Sequence, residues 1–341
     1  MSLPTLEFDP TRDPLGVLSS TARVVERAQD VRIDRERVVA VAEELLGEDA
    51  QVPGWEDALH FRDGTWRTAG WVFVLDALNF CFWSEDPDPA QRWHVEYKGQ
   101  LHDGYWALVA ALRRAADEDR PIWDPRYQVD LPVRDIAHIL RPHDLAYPEI
   151  PLLPLRAAHL HELGRGLLDM DDGPEAAAVM IGGAKRSAVR LIHEIVARFP
   201  SFNDVATYQG EEVRFYKRAQ ILIADLAGAF AGEGLGAFGD LACLTAFADY
   251  KVPQVLRRHG VLVYAGDLAA KVDRRQLIPA GSPPEVEIRA ATIWGCELLR
   301  RALTRRGRSV RAFEVDCALW NAGQHLPADT QPYHRTYTGF Y

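Results

Sequence analysis

Apolar residues recur along most of this chain at three- and four-residue spacing, which predicts amphipathic helices. The segments with this period are 35–46, 106–117, 155–168, 176–198, 215–230, 252–259, 285–305 and 313–321. One short stretch, 92–105, instead has the pattern of two strands joined at Lys98-Gly99, as in a β-hairpin. The pattern therefore predicts a mainly α fold with a small antiparallel β element.

The almost wholly apolar run 71–83 belongs to the core whichever secondary structure it adopts. Asp76 and Asn79 lie inside this run, and each requires a hydrogen-bond partner if it is buried. The proline-rich region 121–154 is the best candidate for a boundary between subdomains. We therefore expect a mixed α/β-hairpin subdomain over 1–150 and a helical subdomain over 151–341, closely packed with the active site between them.

Composition narrows the functional classes. The 341 residues can bury a large core, and the formal net charge of -10 argues against a broad surface for duplex DNA or RNA. A small anionic ligand held by a local basic pocket remains compatible with this charge. The four cysteines form no CxxC pair, so neither a disulfide scaffold nor a zinc site is expected.

Several familiar sequence signals are missing from the chain. It has no GxxxxGK[ST], no GxGxxG after a strand, no GxSxG and no HExxH, so no cofactor or metal is expected. The first residues lack a basic region followed by an apolar run, and no apolar stretch is long enough to span a membrane. A cytoplasmic location and no membrane partner are the resulting expectations.

The segment 244–262 contains the most informative single carboxylate. Pro253 is tolerated only in the first turn of a helix, so a helix begins between Asp249 and Val252. Gly260 is placed to end this helix in a left-handed conformation. An acid fixed at a helix start between two aromatic residues can stabilise a developing positive charge. The alternative is an ordinary N-cap aspartate, and the sequence leaves both interpretations open.

The predicted helix 215–230 carries polar residues within an apolar pattern. Arg218 and Asp225 share one face, and Lys217 and Gln220 share another. A buried polar stripe here would suit a phosphate or a sugar. The alternative is a set of charges on the solvent side of a core helix.

The last predicted helix places Asp316 and Trp320 one turn apart, with Asn321 adjacent. An acid and an amide beside an indole can read the donor edge of a purine and stack on its face. A capping or surface acid next to a core tryptophan explains the same spacing.

The C-terminal ten residues contain His334, Arg335 and several tyrosines. Chain ends that fray are usually small and polar, so this end is expected to dock on the protein. Docking for stability is one explanation, and closure of a basic tail over an anion is the other.

The segment FADYKVPQVLRRHG (247–260) resembles the part of helix-hairpin-helix DNA glycosylases in which a catalytic aspartate precedes a helix. Asp249 and Gly260 occupy the positions of the acid and of the terminating glycine. The glycine-rich hairpin with which those enzymes hold DNA has no counterpart before Lys217. The resemblance therefore implies shared chemistry without the grip on DNA.

A second resemblance covers nearly the whole chain. Seven ordered blocks are similar to the queuosine salvage protein family: GWEDALHF (54–61), DALNFCFWSE (76–85), GYWALVAAL (104–112), FYKRAQILIAD (215–225), FADYKVPQVL (247–256), EVEIRAATIW (285–294) and PYHR (332–335). The resemblance implies a DNA-glycosylase-like helical fold. It also implies hydrolysis of queuosine 5'-monophosphate to queuine and ribose 5-phosphate without a metal.

The same resemblance assigns roles to individual residues. It places the catalytic acid at Asp249, and contacts to the base at Phe247, His60 and Asp316. The chain departs from the family pattern at Cys317, where a tyrosine is frequent. It departs again at Asn321, where some members carry an acid. At this position the chain would therefore present an amide, rather than a carboxylate, to the base or to its cyclopentenediol.

The remaining candidates are cations. Lys217 or Lys251 would keep Asp249 ionised, and the 5'-phosphate would be held by residues chosen from Lys217, Arg218, His334 and Arg335. Two rival functions are a DNA-repair-type base glycosylase and a non-catalytic protein that binds queuine or a nucleotide. The net charge and the missing hairpin disfavour the first rival, and the presence of Asp249 disfavours the second.

Overall fold

The computed structural model describes residues 6–46, 59–86, 91–144, 146–327 and 329–341. Helices dominate these residues: α1 (Val17–Arg27), α2 (Arg35–Leu46), α3 (Trp66–Ala77), α4 (Gly104–Asp117), α5 (Pro125–Asp130), α6 (Val133–Ile139), α7 (Leu153–Leu168), α8 (Ala176–Gly183), α9 (Ala188–Arg198), α10 (Lys217–Ala229), α11 (Lys251–Arg258), α12 (Gly266–Asp273), α13 (Pro283–Arg305) and α14 (Ala312–Gln324). The strands are β1 (Val31–Ile33), β2 (His94–Tyr97), β3 (Gln100–Asp103), β4 (Val205–Tyr208), β5 (Glu211–Arg214) and β6 (Leu262–Tyr264).

The strands form two-stranded antiparallel sheets, pairing β1 with β6, β2 with β3, and β4 with β5. The β2–β3 hairpin confirms the prediction for 92–105. Its turn residues Lys98 and Gly99 have φ values of 50° and 79°, as a tight hairpin requires. The mainly α fold with small antiparallel elements is confirmed, whereas the DNA-glycosylase-like architecture stays a prediction.

The single helix predicted over 176–198 was wrong, because the chain breaks it into α8 and α9. Lys185 and Arg186 take left-handed φ values of 51° and 63°, which a continuous helix cannot accommodate. The Ser187 hydroxyl then accepts the Arg190 amide at 3.2 Å and caps α9. The apolar period continues across the break, so periodicity alone did not reveal it.

The described residues divide into two compact units, each built from segments that are distant in sequence. The first unit comprises those within 1–54, 204–220 and 240–337, and the second those within 55–203, 221–239 and 338–341. Residue 150, where the sequence predicts a boundary, lies inside the second unit. An active site between subdomains stays a prediction.

In the first unit, α13 is buried over most of its length, and α1, α2, α11 and α14 pack against it. Glu287 is one of its buried residues. Its carboxylate accepts the backbone amides of Gln29, Asp30 and Val31, and the Tyr208 hydroxyl at 2.7 Å. This one side chain therefore ties β1 and the β4–β5 hairpin to the central helix.

We expect Glu287→Gln to lower the free energy of unfolding by about 2–3 kcal/mol, since several donors would lose a charged acceptor. Urea unfolding followed by circular dichroism measures the change. An unchanged unfolding midpoint would contradict this role for Glu287.

In the second unit, α3 is buried on every side from Thr68 to its end at Ala77, and the residues of 71–83 are buried, which confirms that this run belongs to the core. Asn79 Nδ2 donates to Asp76 Oδ1 at 3.2 Å, so the two polar groups in this run are partners. The chain that follows α3 is held by the buried guanidinium of Arg156. This group donates to the carbonyl oxygens of Leu78, Phe80 and Cys81.

Among the described helices, none combines the length and apolarity needed to cross a bilayer.

Candidate active site

Asp249 lies two residues before Lys251, the first residue of α11, as its sequence position predicts. Its Oδ1 accepts the backbone amides of Lys251 at 2.8 Å and Val252 at 2.9 Å. The acid therefore caps the helix, and the capping interpretation is confirmed. Capping also suits an ionised carboxylate, because the unpaired amides at a helix start carry partial positive charge. The capping interpretation and the catalytic one are thus compatible for this residue.

Asp249 is only 8% exposed, and Lys217, the first residue of α10, is only 5% exposed. Burial raises the pKa of Asp249 above its usual range. The nearby Lys217 ammonium is the strongest influence that lowers this pKa, ahead of the Val252 and Lys251 amides. The interpretation of Lys217 as a surface residue is therefore wrong. Because both side chains are buried, the electrostatic interaction between Lys217 and Asp249 is stronger than it would be in water.

Asp316 on α14 is a second buried carboxyl group, with 3% exposure. Its Oδ1 accepts the Phe247 amide at 3.0 Å. Burial raises the pKa of Asp316 well above its usual range, and the charge of Asp249 raises it further. The Phe247 amide and Lys217 act in the opposite direction. Because Asp249 has two amides and Asp316 has one, we assign the negative charge of the free site to Asp249 and the proton to Asp316.

The loop that carries Phe247 and Asp249 is held from two sides. On one side, Asp316 binds the Phe247 amide, and the Phe247 ring stacks on Phe313 with centroids 6.2 Å apart. On the other side, Gln220 in the first turn of α10 donates to Thr245 Oγ1 at 3.0 Å and accepts the Thr245 amide at 2.8 Å. The residues around the acid are therefore held in place by contacts within the protein.

A buried ion pair that sequence analysis missed lies beneath this loop. Arg289 donates through both terminal nitrogens to Asp204, and through Nε to the Ala248 carbonyl at 3.2 Å. Asp204 Oδ2 also accepts the Lys217 amide at 3.3 Å. The partners are separated by 85 residues, so no local spacing connects them. The one available signal was a charged residue, Arg289, within the buried pattern of α13.

The other candidates on α10, α11 and α14 have distinct environments. Arg218 is buried with 1% exposure, so the interpretation of this segment as solvent-facing charge was wrong for it. Cys317 and Asn321 are partly exposed on α14. Lys251 Nζ donates to the Gly323 carbonyl at 3.0 Å, which turns its ammonium towards the end of α14.

The C-terminal tail docks on the protein, as predicted: residues up to Tyr337 belong to the first unit, and 338–341 belong to the second. His334 and Arg335 are buried, and the Arg335 carbonyl accepts the Ile278 amide at 2.8 Å. Burial lowers the pKa of His334 to about 3, and the charge of Arg289 lowers it in the same direction. His334 is therefore neutral near pH 7 and would meet a phosphate as a hydrogen-bond donor rather than as a cation.

His60 belongs to the second unit and is 3% exposed. Its Nε2 lies 3.0 Å from the Tyr105 hydroxyl, and its ring packs edge-on against Trp71 and Trp106. These contacts hold the imidazole in one orientation. Its contact with a base stays a prediction.

The structure thus brings Asp249, Lys217, Asp316 and Phe247 together in the first unit, with the Asp204–Arg289 pair beside them. Within the part of the chain that the structure describes, no group of three His, Cys, Asp or Glu residues is placed to hold a metal ion. The residues present are two buried carboxyl groups, one buried ammonium and an aromatic ring. Together they can stabilise a cationic reaction centre and accept hydrogen bonds.

Fold and site together define a mainly helical protein with a buried, electrostatically coupled titratable cluster, an arrangement typical of an enzyme active site. Residues 59–341 match the family model described as queuosine salvage protein. The chain belongs to the queuosine salvage protein family.

Relatives similar to this chain extend over almost its full length. One from Sphaerobacter thermophilus is 52% identical, over 96% of this chain and 98% of the relative. A mouse relative is 37% identical, over 96% and 99%, and one from Schizosaccharomyces pombe is 34% identical, over 92% of each. All three are named queuosine 5'-phosphate N-glycosylase/hydrolase.

Proposed function

We propose that this chain is an N-glycosyl hydrolase that cleaves queuosine 5'-monophosphate into queuine and ribose 5-phosphate for queuine salvage. The observation that carries the proposal is the buried Asp249 beside Lys217, in a chain whose relatives bear the name of this activity. The substrate is a small molecule, and the net charge of -10 fits such a ligand better than duplex DNA or RNA.

Cleavage of an N-ribosyl bond passes through a state with oxocarbenium character at C1'. A carboxylate close to that carbon, on the face opposite the base, stabilises the charge and orients the attacking water. Asp249 takes this role. Oδ1 is fixed by two amides, so the carboxylate is held in place before the charge develops. Water supplies hydroxyl to C1', and the base leaves with the bonding electrons and gains a proton.

The leaving group is a 7-deazapurine, which has no N7 to protonate. Its departure therefore depends on donors at its remaining polar atoms and on solvation of the anion. Asp316 accepts hydrogen bonds from the N1–H and the exocyclic amine of the base, for which it releases its proton to solvent as the nucleotide binds. Phe247 stacks on the base, and His60 contacts the base or its side arm.

The remaining assignments concern the ends of the substrate. Arg218 and Arg335 bind the 5'-phosphate. Lys217 interacts with both the phosphate and Asp249, and His334 donates a hydrogen bond to the phosphate as a neutral imidazole. Lys251 adds a weaker positive influence on Asp249. Cys317 and Asn321 are partly exposed on the same helix as Asp316, and they meet the base or its cyclopentenediol.

The proposal extends to the architecture and the setting of the protein. Its support is the seven sequence blocks, which resemble a family with a DNA-glycosylase-like helical fold. A cytoplasmic location completes this proposal. The chemistry requires neither a cofactor nor a metal.

Incubation of the purified, EDTA-treated protein with queuosine 5'-monophosphate tests this function. We expect mass spectrometry to detect free queuine and ribose 5-phosphate in equal amounts, at an unchanged rate after chelation. Tight binding of queuine without release would instead favour a binding protein. Release of a base from damaged duplex DNA, but not from this nucleotide, would favour a repair glycosylase.

A further inference from the structure

We propose that Asp204 is a positioning residue for the reaction, because its carboxyl group fixes both partners of the Asp249–Lys217 pair. It binds the backbone of Lys217 directly and reaches the backbone beside Asp249 through Arg289. This inference rests on the proposed function and assigns a role to a residue that touches no substrate.

The first link orients Lys217. The Asp204 carbonyl accepts the Phe215 and Tyr216 amides at 3.0 and 3.1 Å, and its Oδ2 accepts the Lys217 amide at 3.3 Å. Tyr216 has a left-handed φ of 49°, which is costly for a non-glycine residue. The three hydrogen bonds stabilise this turn, and the turn sets the direction in which α10 begins. The Lys217 ammonium reaches Asp249 from that start.

The second link orients Asp249. Arg289 binds both carboxylate oxygens of Asp204, and its Nε donates to the carbonyl of Ala248, the residue directly before Asp249. A guanidinium is planar, and its donors have a fixed arrangement. The Arg289 guanidinium also lies over the Phe215 ring, 3.9 Å from the centroid. Glu285, one turn earlier on α13, is a further buried partner, with its Oε1 3.7 Å from Arg289 Nε. The position of Arg289 is therefore determined by two carboxylates and an aromatic face, and Asp204 is the partner that also binds the Lys217 amide.

The pair is buried, with side-chain exposures of 3% for Arg289 and 1% for Asp204. A buried ion pair is often no more stabilising than apolar residues of the same volume, so its stability value does not explain its placement. Its contacts do, since they end at the two backbone segments that carry Lys217 and Asp249. The interaction between those side chains depends on their separation, which Asp204 controls.

The test compares Asp204→Asn with the wild type in steady-state hydrolysis across pH. An amide cannot bind two guanidinium nitrogens as a carboxylate does, so Arg289 and the start of α10 shift. We expect kcat to fall about 10- to 100-fold, the loss typical of a small misplacement of reacting groups. The acid limb of the kcat profile moves to higher pH, because Asp249 loses part of its support from Lys217. Queuine binding, measured by calorimetry, stays within about threefold.

Glu287→Gln is the matched control, because it also converts a buried carboxylate of the first unit into an amide. Glu287 lies on the same helix as Arg289, and its hydrogen bonds go to the amides of Gln29, Asp30 and Val31 and to the Tyr208 hydroxyl. We expect this variant to lower Tm while leaving kcat and the acid limb unchanged. The comparison separates positioning from general loss of stability.

Arg289→Lys supplies a second variant that keeps the positive charge opposite Asp204. One ammonium cannot reproduce the planar contacts to both Asp204 oxygens and to the Ala248 carbonyl, so we expect the same loss of kcat and the same change in pH profile. Should Asp204→Asn not fold, this variant decides. The proposal is overturned if the folded variants keep the wild-type kcat and acid limb.

The outcome is distinguishable from failure of the proposed function. If the wild type releases no queuine, or if Asp249→Asn is fully active, the function or its catalytic residue is wrong. If Asp249→Asn is inactive while Asp204→Asn and Arg289→Lys behave as Glu287→Gln does, only the positioning role fails.

Discussion

Asp249→Asn should lose almost all hydrolysis of queuosine 5'-monophosphate, with a fall in kcat of about 1,000-fold or more, as expected when a preorganised electrostatic group is removed. An amide carries no negative charge to stabilise the oxocarbenium-like state. Single-turnover release of queuine, followed by mass spectrometry, measures the loss. Calorimetry with queuine measures binding, which we expect to remain.

The substitution is well matched to the structure, because the asparagine oxygen can still accept the Lys251 and Val252 amides. Asp249→Ala is the companion variant, since it removes the charge and the cap together. We expect both variants to be inactive and only the alanine variant to lose about 1 kcal/mol of stability from the missing cap. Turnover near the wild-type rate in Asp249→Asn would refute the assignment.

Lys217→Met should lower kcat roughly 100-fold near pH 7, the size of effect seen when one preorganised charge is lost from an active site. Burial already raises the pKa of Asp249, and Lys217 is the main group that opposes this. Without the ammonium the pKa of Asp249 rises further, so a smaller fraction is ionised at neutral pH. Activity should therefore recover as the pH increases, with the acid limb displaced to higher pH.

Lys251→Met is the control for this experiment, because it removes the other lysine that acts on Asp249. Lys251 is the weaker influence, and its ammonium donates to the Gly323 carbonyl. We expect a smaller displacement of the acid limb than for Lys217→Met, measured at saturating substrate so that phosphate binding does not enter. Equal displacements, or a larger one for Lys251→Met, would contradict the ordering of the two lysines.

The two carboxyl groups close to Lys217 can take different protonation states and different roles. Asp249 is supported by two amides and Lys217, whereas Asp316 is supported by one amide and is further opposed by the charge of Asp249. Like charges in a buried site resist simultaneous ionisation. A base that donates its N1–H and amine to Asp316 would therefore displace a proton, and this coupling links base recognition to the charge of the catalytic acid.

Local sequence determined the elements that place Asp249. Pro253 and Gly260 define the two ends of α11, which runs from Lys251 to Arg258 with Gly260 at a φ of 73°. Proline is not tolerated in a helix interior, and glycine readily adopts the left-handed conformation that ends a helix. Each residue therefore sets a helix end through its own backbone preference. The hairpin turn at Lys98-Gly99 was predictable for the same reason.

Other features escaped local reasoning. The break between α8 and α9 depends on the left-handed φ values of Lys185 and Arg186. Lysine and arginine rarely adopt this conformation, so the sequence does not predict it. Helices α1 and α12 were not predicted, and neither were the β1–β6 and β4–β5 pairs. Strands as short as these owe their formation to packing rather than to propensity.

The sequence by itself determined the helical class, the capped start of α11 with its acid, and the family of the chain, because these depend on local backbone preferences and on ordered residue blocks. Only the tertiary structure decided that Lys217 is buried beside Asp249, that Asp316 binds the Phe247 amide, and that Asp204 joins Arg289. The physical reason is that burial and long-range charge contacts arise from distant segments meeting, and no spacing along the chain encodes them.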